Sequence, residues 1–587
     1  MLMNGIAGES SVVDPTTSKR LGGGLGMLTI RSYCRALLGF ASVASLLGCN
    51  SIVGLGRFSV EATKATGGGG SAEPGAGGSD QGGDALDASE LDASDEAPVG
   101  ECETNAQCTE RATQAALDAG AADAGTVAAM CIRPEHRCVA LLSEDCDRIT
   151  GDYLDDDAIL LGTLFSTKGA QAATNLPRQQ SATLAVEEIN RAGGIPAAVG
   201  KPPRPLVMVS CDESTMVLRA GGHLVTDLHV PAIVGPNTSQ DTLDLSNKLT
   251  IDAGTLMMTP TAVASSIADL TDNDLTWLMV PSDVQRAPLM IKQLNDLEAT
   301  IRTDPDVSTV KLGIVFRSDA LGVGTQTSLN ALKLNGKLLS DPINTGANGS
   351  VKIDPYDFKA ADQAAIVAKY VAFAPDIVVL AGTAEAITKI MVPLEKGWTA
   401  PKRPYYMLID SVKVPELIAA ATNNEDLRRR IRGTGITPTA AAGLVFNGFS
   451  LDYLARYQVN VGPSGMGPSY DAAYSIAYAL AATRDLPVSG ANIAKGIRKL
   501  AGGATTIEVG SQKILAAFQR LTAGESVTAI GTFVPLEWDK YNAVVGGIIE
   551  MWCISGPAAT PAYSTSKLTF DIKSQTYGTT PYTQCGP

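Results

Sequence analysis

The sequence predicts an α/β protein of two doubly wound lobes, preceded by a small cysteine-rich module and a long tether. Three observations predict it. From about Ala158 onward, short apolar runs alternate with helical stretches of ~10–15 residues, the pattern of βαβ units and a mostly parallel sheet. This alternating part runs for about 400 residues, more than one sheet holds, so two lobes are expected. Upstream of it lie a stretch nearly devoid of apolar bulk and then a dense group of cysteines.

At the N-terminus, Arg31 and Arg35 precede an apolar run from Leu37 to Gly48. A basic region, a short apolar region and small residues describe an export signal. The run is too short to span a bilayer of ~30 Å as a helix. It ends in Leu46-Leu47-Gly48-Cys49, which resembles the lipobox of bacterial lipoproteins. The resemblance implies that residues 1–48 are a signal peptide, that Cys49 is lipidated, and that the chain works outside the cytoplasm on a membrane anchor. Met27 is an alternative start, because the basic region begins just after it. Residues 49–100 read as a lipidated N-terminus and flexible linker. From Thr66 to Gly100 there is no aromatic residue and no Lys or Arg, so too little apolar surface exists to offset ordering entropy.

Residues 101–150 form the cysteine-dense module. Of ten cysteines, Cys34 belongs to the signal and Cys49 to the anchor, leaving Cys102, Cys108, Cys131, Cys138, Cys146, Cys211, Cys553 and Cys585. An even set in an exported chain points to disulfides, and a segment this short needs staples. Spacing leaves the pairing open. The arrangement expected is Cys102 with Cys131, Cys108 with Cys138, Cys146 with Cys211 and Cys553 with Cys585. With no C-x-x-C and only three His, no metal site is expected, and no cofactor motif is present.

In the α/β part, strands are expected at 159–164, 205–209, 232–234, 255–259, 311–316, 376–380 and 405–409. Helices are expected at 178–191, 216–227 and 240–252, the first ended by Gly193-Gly194. Ligands in open α/β sheets bind beyond the carboxyl ends of the strands. Three such strand ends carry suitable chemistry. Gly235-Pro236-Asn237-Thr238-Ser239-Gln240 and Pro260-Thr261-Ala262-Val263 are small and polar, and offer hydroxyls and N–H groups to a carboxylate. Asp410 offers an acid to an ammonium group. Helix capping competes as the explanation for Thr238 and Ser239. Asp212 and Glu213 follow a strand and are expected to cap the next helix.

The net charge of −15, to which residues 1–48 contribute a net +2 (Lys19, Arg20, Arg31 and Arg35 against Glu9 and Asp14), opposes nucleic-acid binding. No second apolar run of ~20 residues appears. G-x-S-x-G, P-loop and H-E-x-x-H motifs are missing, and no His stands beside a nucleophile, so no enzyme is expected.

Ala185-Val186-Glu187-Glu188-Ile189-Asn190-Arg191-Ala192-Gly193-Gly194 resembles the first helix and turn of type I periplasmic binding proteins, close in pattern to those that bind leucine, isoleucine and valine. Val234 to Ser239, Met258 to Val263, Pro281-Ser282-Asp283-Val284-Gln285, Gly322-Val323-Gly324 and Tyr470-Asp471-Ala472-Ala473-Tyr474 resemble later stretches of that family in order and spacing. The resemblance spans roughly residues 155–555. It implies two lobes joined by a three-strand hinge, with lobe 1 at about 155–281 and 410–530 and lobe 2 at about 282–409 and 531–587. It implies that Ser239 and Thr261 hold a ligand carboxylate, with Thr238 beside them as a further ligand-binding candidate, that Val263 adds a backbone contact, that Asp410 meets an ammonium group and that Thr383 contacts the ligand from lobe 2. Thr174 and Leu321 stand where the family places aromatic rings, so the ligand need not be a branched-chain amino acid. The function implied is an extracytoplasmic, lipid-anchored solute-binding protein that captures a small polar ligand, an amino acid in the first instance, for an ABC-type permease. The alternative is a ligand-sensing receptor lipoprotein with a signalling partner and no transport.

Overall fold

The computed structural model describes residues 101–120, 125–133, 135–462 and 464–583. The signal peptide, Cys49, the tether and Cys585 lie outside the described residues. The module begins with helix α1 (Asn105–Asp118), started by a reciprocal cap in which Thr104 and Gln107 satisfy each other's backbone. A hairpin of β1 (Ala129–Ile132) and β2 (Arg137–Ala140) packs beside it. Disulfides Cys102–Cys131 and Cys108–Cys138 staple helix to hairpin. The sulfurs of Cys102, Cys108 and Cys131 gather within metal-ligand range, but all three are held in these disulfides. The module ends before residue 150. Strand β3 (Cys146–Thr150) lies antiparallel on β5 (Leu206–Asp212) as the edge of the first large sheet, and Cys146 is bonded to Cys211 there.

The first sheet has the order β3, β5, β4 (Ile159–Phe165), β6 (Ala232–Val234), β7 (Leu256–Thr259) and β8 (Thr276–Leu278), parallel except at β3. Every residue of β4 and β5 is buried, because helices cover both faces. Strand alternation divides the core. Ile159, Leu161 and Phe165 pack with α2 (Ala172–Arg191) and α7 (Met466–Ala482), while Leu160 and Leu164 pack on the other face with Leu224 and Val225. Helix α7 is buried from Met466 to Ala481, its polar Ser469, Asp471 and Ser475 each making a hydrogen bond.

The second sheet has the order β10 (Val351–Tyr356), β9 (Leu312–Arg317), β11 (Ile377–Ala381), β12 (Tyr405–Leu408), β13 (Ile431–Thr437), β16 (Ile548–Ser555), β17 (Ala562–Asp571) and β18 (Thr576–Tyr577). It is parallel from β10 to β13 and antiparallel beyond. A short parallel pair, β14 (Thr505–Glu508) with β15 (Val527–Ile530), belongs to the first lobe's core.

The chain crosses between lobes three times, but later than the sequence implied at two points. The first crossing, at residues 279–282, leads into α4 (Asp283–Ile301). The return expected at 410 occurs after Thr437, because β13 is laddered between β12 and β16 in the second sheet before α6 (Ala440–Tyr457) begins. The last crossing, expected at 531, follows Val544. Val534, Leu536, Trp538 and Val544 pack into the first core, and Trp538 Nε1 donates to Leu278 O at 2.7 Å. Among the described residues, no helix is long and apolar enough to cross a membrane.

Candidate functional site

The first lobe's strand ends converge. Gly235 has φ of +120°, and a side chain there would run into the Leu164 carbonyl, so only glycine turns the chain this tightly after β6. The turn delivers Asn237, Thr238 and Ser239 to the start of α3 (Ser239–Leu245). Thr238 is the N-cap: it accepts from Asp241 N at 3.1 Å, and its hydroxyl donates to Asp241 Oδ2 at 2.6 Å. Ser239 Oγ accepts from Val263 N at 3.0 Å and Ala264 N at 3.1 Å, which ties the loop after β6 to the loop after β7. Thr261 Oγ1 donates to the Asn237 backbone and side-chain oxygens at 2.6 and 2.8 Å. The Val263 carbonyl accepts from Asp283 N at 2.8 Å, so the same loop is anchored to the first crossing.

Helix α2 adds a cation to this wall. Arg178 stands four residues after the half-buried Thr174, on the same helix face. Its Nε donates to Ser464 O at 2.6 Å, and its Nη1 to Asn175 Oδ1 at 2.8 Å and Asn237 Oδ1 at 2.5 Å. Burial lowers its pKa to about 10, against the opposing charges of Asp410 and Glu213. Glu213 does not cap a helix. Its Oε1 accepts from Asn237 N at 3.2 Å and Ser166 Oγ at 3.4 Å, while its buried Oε2 has no partner. Burial, helped by the negative charge of Asp241, pushes the Glu213 carboxyl well above its usual range. Asp212 also binds backward: it accepts from Thr167 N at 2.7 Å and Lys168 N at 3.1 Å, fixing the loop after β4.

The second lobe's strand ends carry paired charges. Asp410, after β12, is bound to Arg286 of α4 at 2.6 Å. Arg317, at the end of β9, donates to Asp319 Oδ2 at 2.6 Å and to Thr383 Oγ1 at 3.4 Å, and lies 3.9 Å over the Phe358 ring. Thr383 is bound in turn to Glu385, which also accepts from Tyr356 OH at 2.9 Å. Leu321 begins α5 (Ala320–Ser328) and packs against the second core rather than with these polar groups. The two walls feel each other's charge. Asp410 raises the basicity of Arg178 across the cleft, and Arg317 opposes the burial that raises the pKa of Asp241.

The structure therefore joins Thr238, Ser239, Thr261 and Val263 in one first-lobe cluster, with Thr174 one helical turn before Arg178, and sets Asp410 and Thr383 on the second-lobe side with separate partners. Sequence reasoning overlooked Arg178, Arg286, Arg317 and Glu385. The signal for Arg178 was a lone cation inside a helix of small and apolar residues, one turn after Thr174.

A scan against protein-family models finds no match, and neither does a search of curated proteins. Among solved structures, the chain is similar to a leucine binding protein, LivK from Thermotoga maritima, with TM-score 0.50 and 14% identity over 69% of this chain and 98% of that one. It is similar to LivJ from Streptococcus pneumoniae, a branched-chain amino acid transporter substrate binding protein in complex with isoleucine, with TM-score 0.49 and 17% identity over 70% and 99%. It is also similar to a periplasmic binding protein type 1 from Bordetella pertussis, with TM-score 0.48 and 16% identity over 70% and 100%. At such identities the likeness speaks for the fold: this chain has the type I periplasmic binding protein architecture.

Proposed function

We propose that this chain is an extracytoplasmic solute-binding protein, tethered by lipid at Cys49, that encloses a small carboxylate-bearing solute between its lobes and presents it to an ABC-type permease. An amino acid is the first class to test. The observation that carries the reading is the placement of charge. Arg178 and the free proton of Ser239 stand on one wall, and the Asp410–Arg286 pair stands on the other, at the strand ends where this architecture closes. The similarity in fold to a leucine binding protein supports the choice of amino acids.

The test is thermal shift of the purified chain against a library of amino acids and carboxylic acids, with small-angle scattering on every hit. A hit is expected to raise the melting temperature and reduce the radius of gyration; a library without hits would remove the reading. A second reading, a receptor lipoprotein without transport, is favoured by the presence of the stapled module, which supplies none of the candidate site residues. Deleting the gene and measuring uptake of the hit separates the two: undiminished uptake favours sensing.

A further inference from the structure

Arg178 is 7% exposed, and its three hydrogen-bond acceptors, Ser464 O, Asn175 Oδ1 and Asn237 Oδ1, are all neutral. The other buried arginines among the described residues each hold a carboxylate: Arg286 with Asp410, Arg317 with Asp319, Arg428 with Glu425 and Arg430 with Glu395. Arg178 holds none. A buried guanidinium without a counter-ion is strongly disfavoured, so its retention asks for an anion that arrives from outside.

The surroundings have room for one more partner. Nη2 of Arg178 makes none of the hydrogen bonds described above. Ser239 Oγ accepts twice and still carries a proton to give. Oε2 of Glu213, a residue only 5% exposed, is without a partner. By contrast the Thr261 hydroxyl proton is taken by Asn237, so it is not available to a ligand carboxylate. Asp410 is neutralised by Arg286, so the second wall makes no demand for an ammonium group.

We propose that Arg178 is the specificity-determining cation of the cleft: its free guanidinium nitrogen binds the ligand's carboxylate, and the ligand class is small carboxylic acids in which an amino group is dispensable. This rests on the solute-binding reading above.

Calorimetry on the full chain tests it with leucine, its amide leucinamide and its deaminated analogue isocaproate, and with phenylalanine, phenylalaninamide and hydrocinnamate. The carboxylates are expected to bind, the amides at least about 30-fold more weakly, and the deaminated acids within about tenfold of the amino acids. Arg178→Gln should weaken the best acid by about 30-fold. Equal binding of acid and amide, or undiminished binding by Arg178→Gln, overturns the role of Arg178 and leaves the cleft reading standing. Binding of none of the six, with no closure in scattering, overturns the cleft reading and this assignment with it. Should Arg178→Gln fail to fold, the acid and amide comparison on the wild type decides.

Discussion

Single residues in this chain do their work through the partner each has already taken. Asp410 illustrates it. Its residue type and strand-end position mark it for an ammonium group, yet the structure binds it to Arg286, whose side chain is 8% exposed. Asp410→Ala would strand that arginine, with an expected cost of about 3 kcal/mol seen as a lower melting temperature in chemical or thermal denaturation. A direct role in ligand binding must therefore be judged by the ligand-induced shift in Asp410→Asn, not by stability. A shift equal to wild type would remove Asp410 from the site. Thr238 shows the opposite case, where the modest explanation holds: it caps α3. Thr238→Ala should cost about 1 kcal/mol with affinity changed little, and a tenfold loss of affinity would mean that the capping account is incomplete. Ser239, Thr261 and Asp410 were legible as candidates because small polar residues and acids after strands are visible in sequence. Arg178 was hidden, because a buried cation in a helix is indistinguishable from a solvated one until its surroundings are known.

At the scale of elements, the joint between α2 and α7 is built around a buried carboxyl. Glu188 on α2 accepts from Tyr470 and Tyr474 of α7 at 2.6 and 2.5 Å. Burial raises its pKa to about 7, despite those two hydrogen bonds. On α7 itself, Asp471 accepts from Thr532 N and Oγ1 at 2.8 and 2.7 Å, and burial raises its pKa to about 7 as well. A carboxyl whose pKa is raised on folding stabilises the fold fully below its unfolded pKa, and that contribution is lost as pH rises through the folded value. For Glu188 the window runs from 4.5 to about 7. Glu188→Gln, which stays neutral between the two tyrosines, should therefore gain stability relative to wild type as pH rises across that window, by up to about 1.4 kcal/mol per pH unit. Denaturant titrations of both proteins at several pH values give the answer, and parallel curves would mean that Glu188 does not titrate there. The sequence marked this helix through the Tyr470 to Tyr474 stretch, but not that Glu188 was its buried partner. Glu187-Glu188 reads equally well as an exposed pair, and Glu187 does indeed bind the exposed Arg456.

For the whole molecule, the three crossings and the disulfides tie distant parts of the chain together. Cys146–Cys211 bonds β3 to the first sheet, so the module is continuous with lobe 1 through both a ladder and a disulfide. Replacing both cysteines with Ser is expected to cost about 2–4 kcal/mol and to loosen β3, read as faster hydrogen exchange at residues 146–150. Cys553 is disulfide-bonded too, in a part of the second sheet close to the C-terminal end. The sequence by itself determined the α/β class, the two lobes and the polar strand-end loops, because strand length, helix spacing and turn residues are local properties that the chain writes in order. Only the tertiary structure decided where the chain crosses between lobes, which hydroxyls still have a proton to offer, and which buried charge lacks a counter-ion. Each of these depends on groups distant in sequence. Burial sets the energetic weight of a charge, and burial belongs to the packed molecule rather than to any segment of it.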